Sequence, residues 1–127
     1  MLFQLTMFPT TKGTASVSAD VAKVIDLIDR SGLPYRLTAM STIIEGEWAP
    51  VMKLINRARL MLRRNHARIY ISITIDDRKG AKKRLTGKIA SVEKRLKRQV
   101  QNDRRYKDRV YLDSAGRSQE VRQGVGD

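Results

Sequence analysis

Residues 67–76 read ARIYISITID, and the alternation within this stretch decides the fold. Ile69, Ile71, Ile73 and Ile75 point one way, while Arg68, Tyr70, Ser72, Thr74 and Asp76 point the other, because successive side chains in a strand alternate between faces. The isoleucine side asks for a covering layer. The hydroxyl-bearing side does not.

Working outward, residues 2–8 (LFQLTMF) read as a strand with Phe3, Leu5 and Met7 on one face and Gln4, Thr6 and Phe8 on the other. A helix follows the loop at 9–16, with Ser18 as N-cap, Asp20 in the first turn and Val21, Val24, Ile25 and Ile28 as its apolar stripe. Gly32 and Pro34 end it. YRLTAM and STIIEG form two further strands joined near Ala39–Met40. A second helix is predicted over 49–65, with Met52, Ile55, Ala58, Met61 and Leu62 inward. After the 67–76 strand, Leu85, Ile89, Val92, Leu96 and Val100 mark a third helix.

The order β-α-β-β-α-β with an additional C-terminal helix predicts an α+β fold, the ferredoxin-like sandwich. Two helices would cover the isoleucine face. The opposite face would carry Gln4, Thr6, Tyr70, Ser72 and Thr74, polar but uncharged, and suited to an interface or a ligand wall. The core domain is expected to span residues 1–100, and residues 101–127, which lack apolar periodicity, are expected to form a basic, flexible tail.

The chain of 127 residues has no cysteine, which excludes disulfides, thiolate metal sites and cysteine nucleophiles. No run of apolar residues reaches membrane-spanning length and the start shows no leader pattern, so a soluble cytoplasmic protein is expected. Net charge is +13, unevenly spread: residues 82–109 alone hold 12 Lys/Arg against 3 Asp/Glu. That places the excess on the third helix and tail. An acidic partner such as nucleic acid is therefore the alternative to a small-molecule role.

Material for catalysis is thin, and no catalytic residue is assigned. The one histidine, His66, ends the second helix, where a cation meets the free helix carbonyls. Glu45, Glu47, Asp76 and Asp77 have no spacing that requires a metal. Readout of RNA on the sheet is disfavoured, because the STIIEG strand carries no aromatic. A small polar heterocycle fits better, since hydroxyls and carboxylates match ring nitrogens and an exocyclic amine.

The segments MSTIIEGEW (40–48), ITIDDRKG (73–80) and GKIASVEKRL (87–96) together resemble the small thiamine-binding protein family of the YkoF-like superfamily, over about residues 2–98. The resemblance implies a ferredoxin-like subunit in dimers or tetramers that binds thiamine, or its hydroxymethylpyrimidine part, without catalysis and without a further cofactor. It implies that Thr42, Glu45 and Gly46 form one ligand-side strand end, and that Asp76, Arg78 and Lys88 are the matching groups on the neighbouring strand and third helix. Ser16 and Ser18 supply hydroxyls before the first helix.

In this reading Glu45 bonds the aminopyrimidine, Ser18 and Thr42 orient it, and Met40 or Trp48 packs on the ring. Trp48 serves equally as a plug beneath the second helix. Arg78 and Lys88 serve equally as salt-bridge partners of Asp76, Asp77 or Glu45. Strict alternation puts Thr42 and Glu45 on opposite faces, so their convergence requires a kink at Gly46.

Overall fold

The computed structural model describes residues 1–10, 17–100, 111–112 and 118–119. Its elements run β1 (Leu2–Pro9), α1 (Val17–Arg30), β2 (Tyr35–Leu37), β3 (Thr42–Glu45), α2 (Trp48–Arg63), β4 (Ile69–Asp76), α3 (Arg84–Leu96), β5 (Tyr111–Leu112) and β6 (Ser118–Gln119). The chain divides into two compact units, Met1–Ala90 and Ser91–Asp127. In the first, four antiparallel strands take the order β2-β3-β1-β4, the ferredoxin-like arrangement.

Register explains the core. Phe3 stands opposite Ile44 on one side and Ile75 on the other, so the apolar residues of three strands share one face. Phe3, Leu5, Met7 and Ile44 meet Val24 and Ile28 of α1 and Val51, Leu54, Ile55, Ala58 and Leu62 of α2 there. Each of these side chains other than Ala58 contributes roughly 1.5–3 kcal/mol by leaving water. Ile69, Ile71, Ile73 and Ile75 are only half-buried, because β4 is the sheet's edge strand.

Several boundaries differ from the sequence-based expectation. Helix α1 already includes Val17, so Ser18 lies inside its first turn and is not the N-cap. The inward stripe of α2 is Val51, Leu54, Ile55, Ala58 and Leu62; Met52 and Met61 flank it half-buried. Helix α3 ends at Leu96, so Val100 falls outside it, and none of its side chains is buried. His66 turns toward α1. It is buried against Asp20 of α1, Nε2 to Oδ2 at 3.1 Å, while Arg63 Nη1 donates to the carbonyls of His66 and Ala67.

In the second unit Arg98 N–H donates to the Glu93 carbonyl, Val100 N–H donates to the Glu93 carboxylate, and β5 pairs with β6. The expected flexible tail otherwise lies outside the described residues.

Candidate functional site

Strand lengths create the cavity. β1 has eight residues and β3 four, so β1 pairs with β3 only from Leu2 to Leu5. From Thr6 to Phe8, β1 pairs with β4 on one side and has no strand partner on the other among the described residues. Beside that unpaired edge lies a cavity of about 200 Å3. Its walls are β1, the β2–β3 turn and α1: apolar Leu5, Met7, Val24 and Met40, with hydroxyls from Thr6, Thr38, Ser41 and Thr42.

The turn is held by its own side chains. Thr38 Oγ1 donates to the Ser41 carbonyl at 2.8 Å and accepts from the Ser41 N–H at 3.2 Å. Gln4 Nε2 donates to Ser41 Oγ, and Thr6 Oγ1 to the Met40 carbonyl, tying the turn to β1. A more open groove continues outward along Ser18, Val21, Ala22, Ile25 and Leu37. The arrangement can surround a flat ring with apolar contacts and meet its polar edge with hydroxyls and with β1 backbone that no second described strand pairs.

The sequence-derived candidates separate into two groups. Thr42, buried at 5% exposure, and Met40, 84% exposed, line the cavity, and Ser18 lines the outer groove. Ser16 lies outside the described residues. Glu45, Gly46, Trp48 and Asp76 lie toward the other end of the strands. Thr42 and Glu45 open and close β3 about 10 Å apart along the chain, on opposite faces.

The chain bends at Gly46, but the bend comes after Glu45 and leaves it on the face opposite Thr42. Among the described glycines only Gly32 and Gly80 have positive φ. What Gly46 provides is room: a Cβ there would meet Val51 Cγ2 at 2.8 Å and Leu33 Cδ2 at 3.4 Å. The same close approach lets Gly46 N–H donate to the Met1 carbonyl.

At that end the carboxylates hold Arg84. Glu45 Oε2 accepts the backbone N–H of Arg84 at 2.8 Å, and Asp76 pairs with its guanidinium. The Arg84 hydrogen bond, reinforced by the charges of Arg84 and Arg78, holds the Asp76 carboxyl below the usual aspartate value. The same bond raises Arg84. The partner foreseen as Arg78 or Lys88 is thus Arg84, which nothing in its basic neighbourhood singled out by sequence. Arg78 and Lys88 are exposed. Trp48 is half-exposed, its ring 6.3 Å from that of Phe3.

Sequence reasoning also missed Thr38 and Ser41. Their signal was the hydroxyl-rich turn LTAMST, legible only once the turn faces β1. Among the described residues no three His, Asp or Glu side chains gather as metal ligands, and no helix is long and apolar enough to cross a membrane.

The model of the family described as thiamine-binding protein matches residues 3–93. The chain is 36% identical over 97 residues to UPF0045 protein YqgV of Bacillus subtilis, covering 72% of this chain and 93% of that one. It is 34% identical over 97 residues to UPF0045 protein Mb1933 of Mycobacterium bovis, covering 76% and 92%. Among solved structures, protein MJ1052 of Methanocaldococcus jannaschii superposes with TM-score 0.64 at 27% identity, covering 72% and 93%. Protein TM0486 of Thermotoga maritima, described as a thiamine biosynthesis/salvage protein, superposes with TM-score 0.63 at 18% identity, covering 72% and 96%, and shares the fold.

Proposed function

The chain belongs to the thiamine-binding protein family, and on that ground we propose that it binds thiamine, or its hydroxymethylpyrimidine part, in the cavity beside β1, without chemical conversion and without a further cofactor. The observation that carries this reading is the edge of β1 at Thr6–Phe8, unpaired among the described residues, facing a cavity lined by four hydroxyl side chains. An aminopyrimidine is flat, with ring nitrogens that accept and an exocyclic amine that donates. The Thr42 hydroxyl, which does both, matches that edge, and the methylene and methyl groups of Leu5, Val24 and Met40 match its faces. Ser18 belongs to the mouth. Glu45, Gly46 and Asp76 act at a distance, by holding the start of α3 and the packing of α2.

The protein works as a cytoplasmic homo-oligomer, dimer or tetramer. The middle of the open sheet face supports this: Gln4, Thr6, Ser72 and Thr74 there are uncharged, with Arg36, Glu45 and Asp76 toward its rim, and the rings of Phe8 and Tyr70 lie with centroids 5.1 Å apart. Such a face suits burial against a second copy better than permanent contact with water.

Isothermal titration with thiamine, hydroxymethylpyrimidine and thiamine diphosphate tests the ligand. Saturable binding of the first two is expected. Absence of heat with all three defeats the assignment.

A further inference from the structure

Helix α2 carries Lys53, Arg57, Arg59 and Arg63 and no acidic residue. From Trp48 to Ile75 the chain holds six Lys/Arg (53, 57, 59, 63, 64 and 68) and no Asp or Glu. The excess of positive charge in the folded core is therefore on α2 and its continuation, separate from the basic stretch at 82–109. The core side of α2 is set by Val51, Leu54, Ile55, Ala58 and Leu62. At 100° per residue, Lys53, Arg57 and Arg64 fall in one row on the opposite side, all exposed. At about 1.5 Å per residue the row is about 16 Å long.

The row borders a cleft of about 340 Å3 between α1 and α2, lined by Lys23, Asp26, Arg30, Ser31, Arg57 and Met61. Its one acid, Asp26, is already engaged by Arg30, with Nε at 3.1 Å. Arg59 is turned aside by Asn56 and Arg63 by backbone carbonyls. What faces outward is a line of cations with a basic cleft alongside.

We infer that this α1–α2 face binds the phosphate backbone of a nucleic acid, independently of base sequence and of the ligand cavity. One strand of a duplex advances about 3.4 Å along its axis per phosphate, so the row matches the axial advance of roughly five phosphates. The row carries no aromatic ring for base stacking, so the contact is electrostatic. A membrane surface fits less well, since interfacial helices join cations to a broad apolar face, and here the one large exposed apolar residue of α2 beyond Trp48 is Leu60.

The test uses the full chain and a fluorescent 20-nucleotide single strand, titrated between about 50 and 200 mM salt. The variant K53Q/R57Q/R64Q should weaken binding at least tenfold at the lower salt. It should reduce the slope of log affinity against log salt by about 2, at roughly 0.7 per lost cation. Its melting temperature and its response to thiamine should match those of the wild-type protein. A second variant, K94Q/R95Q/K97Q/R98Q, should keep the greater part of the slope. An unchanged slope in the α2 variant overturns the inference, as does wild-type protein that ignores the oligonucleotide. Binding to phosphatidylserine vesicles without binding to the oligonucleotide also overturns it and assigns the face to a membrane.

Discussion

Thr42 and Glu45 begin and end the same four-residue strand yet serve opposite sides of the sheet. Thr42 is buried beside the hydroxyl-lined cavity, and Glu45 accepts the backbone N–H of Arg84. The two substitutions should therefore separate. Thr42→Val keeps the shape but removes the hydroxyl, and should weaken thiamine binding about 2- to 10-fold, the range of one hydrogen bond. Glu45→Gln should leave affinity unchanged and loosen the start of α3. Calorimetry for the first and amide hydrogen exchange at Arg84–Lys88 for the second distinguish them. A reversed outcome moves the site to the Glu45 end.

Gly46→Ala tests packing at the start of α2. The added methyl would stand 2.8 Å from Val51 Cγ2, a fully buried atom group, so helix or strand must shift. A loss of about 1–3 kcal/mol in unfolding free energy is expected, typical of overpacking. A denaturant titration measures it. Because Gly46 has no positive φ, backbone strain adds nothing to this loss.

Acid should release the Arg84 anchor. The carboxyl of Asp76 is depressed below its usual value of 3.8 by the Arg84 hydrogen bond. A depressed folded-state value stabilises above the unfolded value and is lost as pH falls through the folded one. Hydrogen exchange protection at the start of α3 should accordingly be flat from neutral pH to about 4 and fall below it. Asp76→Asn should remove that step.

The open sheet face predicts its own disruption. Ser72 stands opposite Thr6 at the middle of the β1–β4 ladder, on the open face. Ser72→Arg should leave the fold intact, since the side chain is exposed in the single chain, and should shift the sedimentation coefficient to that of a monomer. Unchanged sedimentation removes this face from the interface.

The sequence by itself determined the element order from β1 to α3, because ARIYISITID and LFQLTMF carry period-two alternation and the helices carry apolar stripes that permit one layered solution. It also separated the faces correctly: Gln4, Thr6, Tyr70, Ser72 and Thr74 share the open side. The segment match likewise placed the chain in its family. Tertiary structure alone decided which polar residues meet. Thr38 and Ser41 become cavity walls only because β3 is shorter than β1 and leaves a gap that their turn faces. Arg84 becomes the partner of Glu45 and Asp76 through a chain path of many residues, and one cation among several in sequence carries no mark of that. Alternation is local and repeats every two residues. Convergence of side chains is a property of strand length and register, which no short stretch contains.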